Sequence, residues 1–325
     1  MYNVAIVGAT GLVGKMFLKV LDEYKFPIKN LKLFASSHSV GKEIVFQNNK
    51  YYIEGLHKDA FENIDIALFS AGGTISLEWA PIAAASGAIV IDNSSAWRMD
   101  KNCSLIVPEI NMKDFKSNGN IIANPNCSTI QSVLPLFALS KKYHLKRVNF
   151  SSYQAVSGSG YKGLNDYHNT LNGEAPTFYP YDISKTCIPQ IDVFLDNGYT
   201  KEEMKMVNET RKILHQDDLL ISATCIRVPV EYGHGVSVSV EFSEEVDIEE
   251  VRLAFKEQAG IVVLEGLPTS LHAMDNDLVY VGRIRKDLSN PNGLLFYCVA
   301  NNIRKGAASN AVQIALKLIK EGYLC

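Results

Sequence analysis

Cys127 is the residue of this sequence whose type and surroundings best suit covalent chemistry. It lies in residues 124–129, where turn-forming side chains give way to the apolar, periodic residues 130–139. Asn126 and Ser128 are good N-cap residues, so Cys127 is predicted in the first turn of a helix. The free amide groups and the positive dipole end there favour a thiolate over a thiol. A reactive nucleophile and a small inert cysteine both fit this pattern.

Arg227 and His234 form a second candidate group, within residues 227–235. Arginine suits a bidentate grip on a carboxylate, and histidine exchanges protons near neutral pH. In a straight strand their seven-residue offset places them on opposite faces, but the glycines on both sides of His234 permit a turn or bulge that re-aims it. A structural histidine fits equally well.

Two further polar stretches could bind a ligand. Glu209 and Lys212 are three residues apart in a predicted helix and therefore share one of its faces. A solvated surface ion pair is the alternative. Residues 301–310 open the last predicted helix with an amide-rich loop, which either reaches a cofactor or simply caps that helix.

A glycine-rich turn near the N-terminus predicts a dinucleotide site. The apolar residues 4–7 predict a strand that ends at Gly8, and Gly11 and Gly14 follow at the start of a helical pattern. Strand, glycine-rich turn and helix begin a Rossmann unit, in which the backbone approaches a pyrophosphate at the helix N-terminus. A tight strand–helix junction without a ligand is the alternative.

The second predicted strand, residues 31–35, indicates which dinucleotide would bind. An NAD-specific fold places an Asp or Glu after this strand to hold the ribose 2′-hydroxyl, and residues 36–39 contain neither. Their three hydroxyls and one imidazole can donate hydrogen bonds to a 2′-phosphate, which favours NADP. An ordinary serine-rich loop is the alternative.

The fold class that this pattern predicts is α/β with two domains. Strands alternate with helices in the first half, which favours a Rossmann-type, doubly wound parallel sheet. Strands cluster in the second half, which favours an α+β domain with a mostly antiparallel sheet. The strands predicted after residue 35 are residues 64–70, 88–91, 106–109, 120–124, 147–156, 222–230, 236–242, 261–265, 278–285 and 294–301. The later predicted helices are residues 201–216, 248–259 and 307–320. We expect the last helix to pack on the nucleotide domain, so the predicted domains are residues 1–126 with 304–325, and residues 127–303.

The composition excludes several classes of protein. A net charge of −3 without a basic block argues against a nucleic-acid surface. The six cysteines contain no C-x-x-C pair, which argues against a zinc site or a disulfide scaffold and favours a reducing, cytoplasmic setting. No signal peptide and no apolar run long enough to span a bilayer is expected. No metal is predicted.

Together these stretches resemble the aspartate-semialdehyde dehydrogenase family, nearly from end to end. The motifs that carry the resemblance are residues 8–14, 35–41, 70–73, 94–98, 124–129, 154–160, 197–213, 227–234 and 302–315. The resemblance implies an oxidoreductase that interconverts L-aspartyl 4-phosphate and L-aspartate 4-semialdehyde with NADP. It also implies a role in lysine, threonine and methionine biosynthesis, with lysine made by the diaminopimelate pathway, and a homodimer or dimer of dimers built through the second domain.

The resemblance further implies roles for individual residues. Cys127 would be the nucleophile, His234 the acid/base, and Gln154 the side chain that orients the acyl group. The substrate-binding residues would be Arg227 on the α-carboxylate, Glu209 on the ammonium, Lys212 and Arg98 on phosphate, and Asn126. The cofactor-binding residues would be Gly8, Thr10, Gly11, Leu12, Val13, Gly14, Ser36, Ser39, Ser70, Gly72, Gly158 and Asn302.

The sequence departs from the family pattern at three places. His38 stands where the family often has arginine, Asn301 where an acidic residue is usual, and Gln190 where histidine is frequent. N-acetyl-glutamyl-phosphate reductase runs the same chemistry on a related fold, but its cysteine context differs and it has no need of a residue like Glu209. A non-catalytic homologue would be expected to lose the cysteine, the histidine or the arginine.

Overall fold

A computed structural model describes residues 1–115 and 119–324 of the chain. The strands are β1 (Tyr2–Val7), β2 (Ile28–Phe34), β3 (Glu43–Phe46), β4 (Asn49–Glu54), β5 (Ile66–Phe69), β6 (Ile89–Asp92), β7 (Ser104–Leu105), β8 (Ile121–Ala123), β9 (Leu145–Gln154), β10 (Leu220–Arg227), β11 (His234–Phe242), β12 (Ile261–Val263), β13 (Val279–Lys286) and β14 (Gly293–Ala300). The helices are α1 (Leu12–Glu23), α2 (Gly73–Ala85), α3 (Cys127–Ser140), α4 (Gly160–Leu171), α5 (Lys201–Leu214), α6 (Ile248–Glu257) and α7 (Ser309–Lys320). No helix within these residues is long and apolar enough to cross a membrane.

The chain divides into two compact units. Unit 1 comprises residues 1–125 and the chain from Ala307 on, and unit 2 is Asn126–Gly306. The sequence-based boundaries placed Asn126 and residues 304–306 in the first domain, whereas the structure places them in unit 2. Asn126 belongs there because its backbone and side chain bond to residues of α5. Residues 116–118 and 325 of the predicted first domain lie outside the described residues.

Unit 1 contains a doubly wound, largely parallel sheet. In the described residues its strand order is β3-β4-β2-β1-β5-β6-β8-β7, and β3 pairs with β4 in the antiparallel sense while the other neighbours are parallel. Alternate residues of β1 enter two apolar cores, one on each face of the sheet. Val4 and Ile6 pack with residues of α1 and α7, and Ala5 and Val7 pack with residues of α2. Both faces are therefore covered, as a parallel sheet requires.

Two features of unit 1 differ from the sequence-based expectation. The hairpin of β3 and β4 was not predicted; Gln47 and Asn48 form its two-residue turn with φ values of 48° and 62°. The strand predicted at residues 106–109 is instead the short β7, which ends at Leu105. The chain turns after β7 because the Asn111 side chain accepts from the Val107 amide at 2.9 Å and donates to the Leu105 carbonyl at 2.8 Å.

Unit 2 contains a mixed sheet of order β10-β9-β11-β14-β13-β12 among its described strands. The outer pairs β10–β9 and β12–β13 are parallel and the inner pairs are antiparallel, so the predicted, mostly antiparallel sheet is confirmed. Every second residue of β11 from Val236 to Phe242 is buried, and α3 packs against β11, β9 and β14. Helix α4 was not predicted, and β10 ends at Arg227 rather than at residue 230.

Candidate active site

Cys127 is the first residue of α3, as its sequence context predicts. The side chain of Asn126 caps the helix, because its Oδ1 accepts hydrogen bonds from the amides of Ser128 at 3.0 Å and Thr129 at 3.2 Å. Cys127 is partly exposed, whereas the residues that follow it in the first turns of α3 are buried. The thiol therefore lies at the accessible end of a capped helix, where backbone amides favour negative charge.

A π-helical turn packs against Cys127. The turn covers Arg304–Ala308, and its Gly306 amide donates to the Asn301 carbonyl at 3.0 Å. A Cβ atom on Gly306 would lie 2.7 Å from the Cβ of Cys127. Only glycine allows this approach without a shift of the backbone, and such turns inside helices are frequent at functional sites.

His234 begins β11 and its side chain is fully buried. Its Nδ1 accepts a hydrogen bond from the Ala155 amide at 3.0 Å. The neutral ring therefore carries its proton on Nε2, which has no hydrogen-bond partner among the described residues. Burial lowers the pKa of His234, the charge of Arg227 lowers it further, and the value falls to about 3 although Glu202 opposes the shift. The imidazole thus presents a buried N–H donor that a ligand could satisfy.

Arg227 ends β10, and its Nη1 donates to the Ala155 carbonyl at 2.7 Å. A Cβ atom on Gly158 would lie 2.8 Å from that Nη1 and 3.3 Å from the Nε2 of His234. The three residues therefore meet at one place. Arg227 and His234 do not sit on a single bulged strand, because the chain turns between β10 and β11, with Gly233 at φ +87°.

Gln154 ends β9, which lies between β10 and β11 in the sheet. In the parallel register of β9 and β10, Gln154 is the partner of Arg227. The side chain of Gln154 is buried, and its Nε2 donates to the Oγ of Ser152 and to the Oε1 of Glu202, both at 3.2 Å. Three neighbouring strands therefore bring Gln154, Arg227 and His234 to the same edge of the sheet.

Glu209 and Lys212 lie on α5, as predicted. Glu209 is 1% exposed, and its Oε2 accepts a hydrogen bond from the Asn126 amide at 2.6 Å. The alternative prediction, a solvated ion pair on the surface, is therefore wrong for Glu209. Lys212 is half-buried on the same helix.

The glycine-rich turn of unit 1 fits a dinucleotide. A Cβ atom on Gly8 would lie 2.3 Å from the Ser70 carbonyl oxygen, and one on Gly14 would lie 2.1 Å from the Gly8 carbonyl oxygen. Gly11 is the N-cap of α1, and no side chain caps that helix end. Thr10, Leu12 and Val13 are half-buried there. The turn therefore offers close backbone approach and open helix amides, which are the two features that a pyrophosphate needs.

The other predicted cofactor residues of unit 1 follow strand ends. Ser36 is exposed and Ser39 is buried in the single turn after β2. Ser70 follows β5, and Gly72, at φ +87°, is the N-cap of α2. Because β1, β2 and β5 are parallel neighbours, their carboxyl ends share one edge of the sheet. This edge is where open α/β sheets bind ligands.

Arg98, a predicted phosphate ligand, is buried in unit 1. Its Nε donates to the Asn124 carbonyl at 2.9 Å and its Nη2 to the Asn93 carbonyl at 2.8 Å. These carbonyls follow β8 and β6, so the guanidinium is fixed at the same sheet edge as the glycine-rich turn.

Asn302, a predicted cofactor ligand, is buried in unit 2. Its Oδ1 accepts the Gly233 amide at 2.9 Å, and its Nδ2 donates to the Oγ of Ser157 at 2.9 Å. In this arrangement the amide joins the turn before His234 to the turn that contains Gly158. No cluster of metal-ligating side chains occurs in the part of the chain that the structure describes.

The chain is similar to known proteins over nearly its whole length. The family model described as the semialdehyde dehydrogenase NAD binding domain matches residues 3–118, and the semialdehyde dehydrogenase dimerisation domain matches residues 136–305. An aspartate-semialdehyde dehydrogenase from Aquifex aeolicus is 51% identical over 99% of both chains. The chain belongs to the aspartate-semialdehyde dehydrogenase family.

Solved structures of the aspartate-semialdehyde dehydrogenase family share the whole fold. The crystal structure of aspartate semialdehyde dehydrogenase II from Vibrio cholerae is 44% identical, covers 99% of both chains and superimposes with a TM-score of 0.95. A second structure of that protein, complexed with ASA, gives a TM-score of 0.94. The family assignment and the predicted two-domain α/β fold are thus confirmed, and the chain is an oxidoreductase with a nicotinamide-dinucleotide domain and a dimerisation domain.

Glu202 is a residue of this family member that sequence reasoning missed. It is 5% exposed, and its Oε1 accepts from Asn126 at 2.8 Å as well as from Gln154. Its Oε2 is bonded by Lys205 at 3.1 Å. Glu202 and Glu203 follow Thr200 at the start of a helix, so the sequence signals only a capping box, which Glu203 does complete. Nothing in that local pattern distinguishes the carboxylate that reaches Gln154.

Proposed function

We propose that this protein is an NADP-dependent aspartate-semialdehyde dehydrogenase that reductively dephosphorylates L-aspartyl 4-phosphate to L-aspartate 4-semialdehyde. The observation that carries the proposal is a buried chain of contacts in unit 2. Asn126, which caps the helix that begins at Cys127, is linked through Glu202 to Gln154, the strand partner of Arg227. Arg227 in turn meets His234, whose Nε2 has no hydrogen-bond partner among the described residues, beside Gly158. The names of the relatives that match over the whole chain support the choice of substrate.

Cys127 is the nucleophile in this proposal. Its thiolate attacks the carbonyl carbon of the acyl phosphate, the carbon–oxygen bond to phosphate breaks, and inorganic phosphate leaves a thioester on the sulfur. The positive dipole end of α3 stabilises the oxyanion that forms between the two steps. When bound, the nicotinamide cofactor supplies the hydride that reduces the thioester carbon. Collapse of the resulting thiohemiacetal breaks the carbon–sulfur bond, which releases the aldehyde and regenerates the thiolate.

His234 is the acid/base. With Nδ1 held by the Ala155 amide, the Nε2–H donates a hydrogen bond to the oxygen that becomes negative in each tetrahedral species, and proton transfer to that oxygen requires the protonated ring. Arg227 disfavours the imidazolium form in the absence of substrate. A substrate carboxylate bound to Arg227 offsets that positive charge and makes protonation of the ring easier.

Recognition of the substrate uses charges of both signs. Arg227 binds the α-carboxylate, and the buried carboxylate of Glu209 binds the ammonium group. Lys212 and Arg98 bind phosphate. Gln154 orients the acyl group, and its own side chain is held by Ser152 and Glu202, which accept from its Nε2.

The cofactor proposal rests on unit 1. The glycine-rich turn from Gly8 to Gly14 and the open end of α1 hold the pyrophosphate, and Ser36 and Ser39 bind the 2′-phosphate. The absence of an acidic side chain in residues 36–39 favours NADP over NAD. Gly158 and Asn302 of unit 2 complete the proposed cofactor set.

The proposal includes the setting of the reaction. The enzyme acts in the cytoplasm as a homodimer or dimer of dimers, at the branch step towards lysine, through the diaminopimelate pathway, and towards threonine and methionine. The domain described as a dimerisation domain supports self-association.

Phosphate-dependent reduction of NADP with L-aspartate semialdehyde tests the reaction. We expect turnover with this aldehyde, none with N-acetyl-glutamate semialdehyde, and none in Cys127→Ser. Cys225→Ser is the matched control, because Cys225 is completely buried and its thiol lies 3.8 Å from the sulfur of Met206. Near-normal turnover in Cys127→Ser would exclude the thioester mechanism, and no turnover with folded wild-type protein would exclude the reaction.

Cofactor preference is tested separately by kcat/KM with NADP and with NAD. Ser36→Asp places a negative charge at an exposed position after β2, and we expect it to lower kcat/KM for NADP at least 10-fold more than for NAD. His38→Arg should shift the preference towards NADP. Equal values for the two cofactors in wild-type protein would contradict the proposed 2′-phosphate site.

A further inference from the structure

Glu202 takes no step in the proposed chemistry, yet its buried carboxylate bonds both to Asn126, the residue before Cys127, and to Gln154. Oε1 accepts from the Nδ2 of Asn126 at 2.8 Å and from the Nε2 of Gln154 at 3.2 Å. We propose that Glu202 is a positioning residue that fixes which way the side-chain amides of Asn126 and Gln154 point. The proposal rests on the proposed function, because it explains how the groups around Cys127 are held for that reaction.

The side-chain amides of Asn126 and Gln154 can each be turned either way round. The oxygen and nitrogen of Asn or Gln occupy nearly the same volume, so the hydrogen-bond partners decide which end points where. An ionised carboxylate only accepts, and therefore selects the NH₂ end of both amides. The Oδ1 of Asn126 must then point at the amides of Ser128 and Thr129, where it caps α3. In the same way, Glu202 holds the NH₂ end of Gln154, so the oxygen of Gln154 is turned away from that carboxylate.

Lys205 keeps Glu202 in its accepting state. Its Nζ lies 3.1 Å from the Oε2 of Glu202 and 3.0 Å from the Oδ2 of Asp192. Burial alone would raise the pKa of Glu202, but the charge of Lys205 and the hydrogen bonds from Asn126 and Gln154 lower it to about 2. His234 and Cys225 also interact electrostatically with this carboxylate. Glu202 therefore stays an acceptor over the whole pH range of an assay.

Glu203 provides a matched control in the same helical turn. It is as buried as Glu202, at 7% against 5% exposed. Its Oε2 accepts the Thr200 amide at 2.7 Å and its Oε1 accepts the Cys225 amide at 3.1 Å, so both bonds go to backbone groups. Loss of its charge weakens the start of α5 without affecting the orientation of Gln154 or Asn126.

The first experiment compares Glu202→Gln with Glu203→Gln. The glutamine at 202 presents a donor as well as an acceptor, so the two amides lose their fixed orientation. We expect kcat to fall about 10- to 100-fold in Glu202→Gln, because misplaced reacting groups lower the rate of the chemical step. The substrate KM should change less than kcat. Glu203→Gln should keep kcat within about threefold while its melting temperature falls at least as far. Wild-type kcat in Glu202→Gln, or an equal loss in Glu203→Gln, would overturn the proposal.

Double-mutant cycles separate positioning from a simple charge effect. If Glu202 acts through Gln154, the effect of Glu202→Gln on kcat shrinks several-fold in a Gln154→Ala background. The same cycle with Asn126→Ala is followed by mass spectrometry of Cys127 alkylation by iodoacetamide, which needs no turnover. In this cycle, Glu202→Gln should change the alkylation rate when Asn126 is present and should leave the rate unchanged in the Asn126→Ala variant. Additive effects in both cycles would overturn the proposal. Absence of wild-type turnover would instead reject the proposed function, and the alkylation cycle would still decide the role of Glu202.

Discussion

His234 has the most perturbed environment of the proposed catalytic residues. Its ring is buried against the Arg227 guanidinium, and its pKa falls to about 3 because burial and that charge both disfavour the imidazolium. The unfolded chain binds a proton at this residue below pH 6.5, whereas the folded protein does not until about pH 3. Folding stability therefore falls as the pH is lowered through this interval.

A comparison of wild-type protein with His234→Asn tests this environment. Between pH 6.5 and 5 the titration of His234 should cost wild-type protein about 2 kcal/mol of unfolding free energy, a loss that His234→Asn lacks. Urea denaturation at both pH values measures the difference. The interval from pH 6.5 to 5 lies above 4.5, the ordinary pKa of the Glu202 side chain, so protonation of Glu202 does not contribute to the loss of unfolding free energy. Equal losses in the two proteins would show that the imidazole is protonated in the fold.

The sequence predicted the proposed catalytic residues better than their surroundings. Cys127 at a helix start follows from Asn126 and the apolar residues after it, since capping is a local property. The meeting of Arg227 and His234 could not be derived locally, because it depends on β9 lying between their two strands. Glu202 was missed for the same reason, since its partner Gln154 is 48 residues away in the chain.

At the scale of elements, α3 depends on its cap for both stability and reactivity. Asn126→Ala removes the acceptor for two amides and should cost about 1 kcal/mol of unfolding free energy. It should also slow alkylation of Cys127, because the first turn no longer holds its amides in place. Asp247→Ala is the matched control, since Asp247 caps α6 through the amides of Glu249 and Glu250. It should cost similar stability and leave the alkylation rate unchanged; a similar slowing in both variants would refute the link.

The π-helical turn at Arg304–Ala308 places a second requirement on the position of Cys127. In Gly306→Ala the new methyl group would lie 2.7 Å from the Cβ of Cys127, so the start of α3 must shift. We expect kcat to fall at least 10-fold, because a displaced nucleophile loses its alignment with the acyl carbon. Gly266→Ala is the control, since no atom lies within 4 Å of its new Cβ. Steady-state kinetics of both variants decide the matter, and normal kcat in Gly306→Ala would show that the contact is irrelevant.

Elements with a clear period were predicted and irregular ones were not. The parallel strands of unit 1 are short apolar runs after which glycine or small residues follow, and these signals are local. Helix α4 does have apolar residues at helical spacing, but Gly160, Gly163 and its polar residues of low helix propensity made the sequence resemble a loop. The π turn has no sequence signature, because the extra residue per turn is imposed by packing of Gly306 on Cys127.

At the scale of the whole molecule, the glycine-rich turn and the proposed catalytic residues lie in different units. Unit 1 has apolar cores on both faces of its sheet and holds the glycine-rich turn. Unit 2 holds Cys127, Gln154, Arg227 and His234. Cys127→Ser leaves every residue of the proposed cofactor set unchanged, so nucleotide binding can be measured in a protein without the thiol.

Hydrogen exchange of the Cys127→Ser protein with NADP and with NAD uses that division. A ligand that binds only the folded state adds about 2.7 kcal/mol of stability at 100 times its dissociation constant, which slows exchange in every segment that opens by global unfolding. Slowing in segments that open locally reports where the ligand binds. Both dinucleotides should protect the amides of residues 8–14, because both carry a pyrophosphate. NADP alone should protect residues 36–39, because the 2′-phosphate needs the hydroxyls of Ser36 and Ser39 as donors. Equal protection of residues 36–39 by NAD would place the 2′-phosphate elsewhere, and no protection of residues 8–14 would remove the nucleotide from this turn.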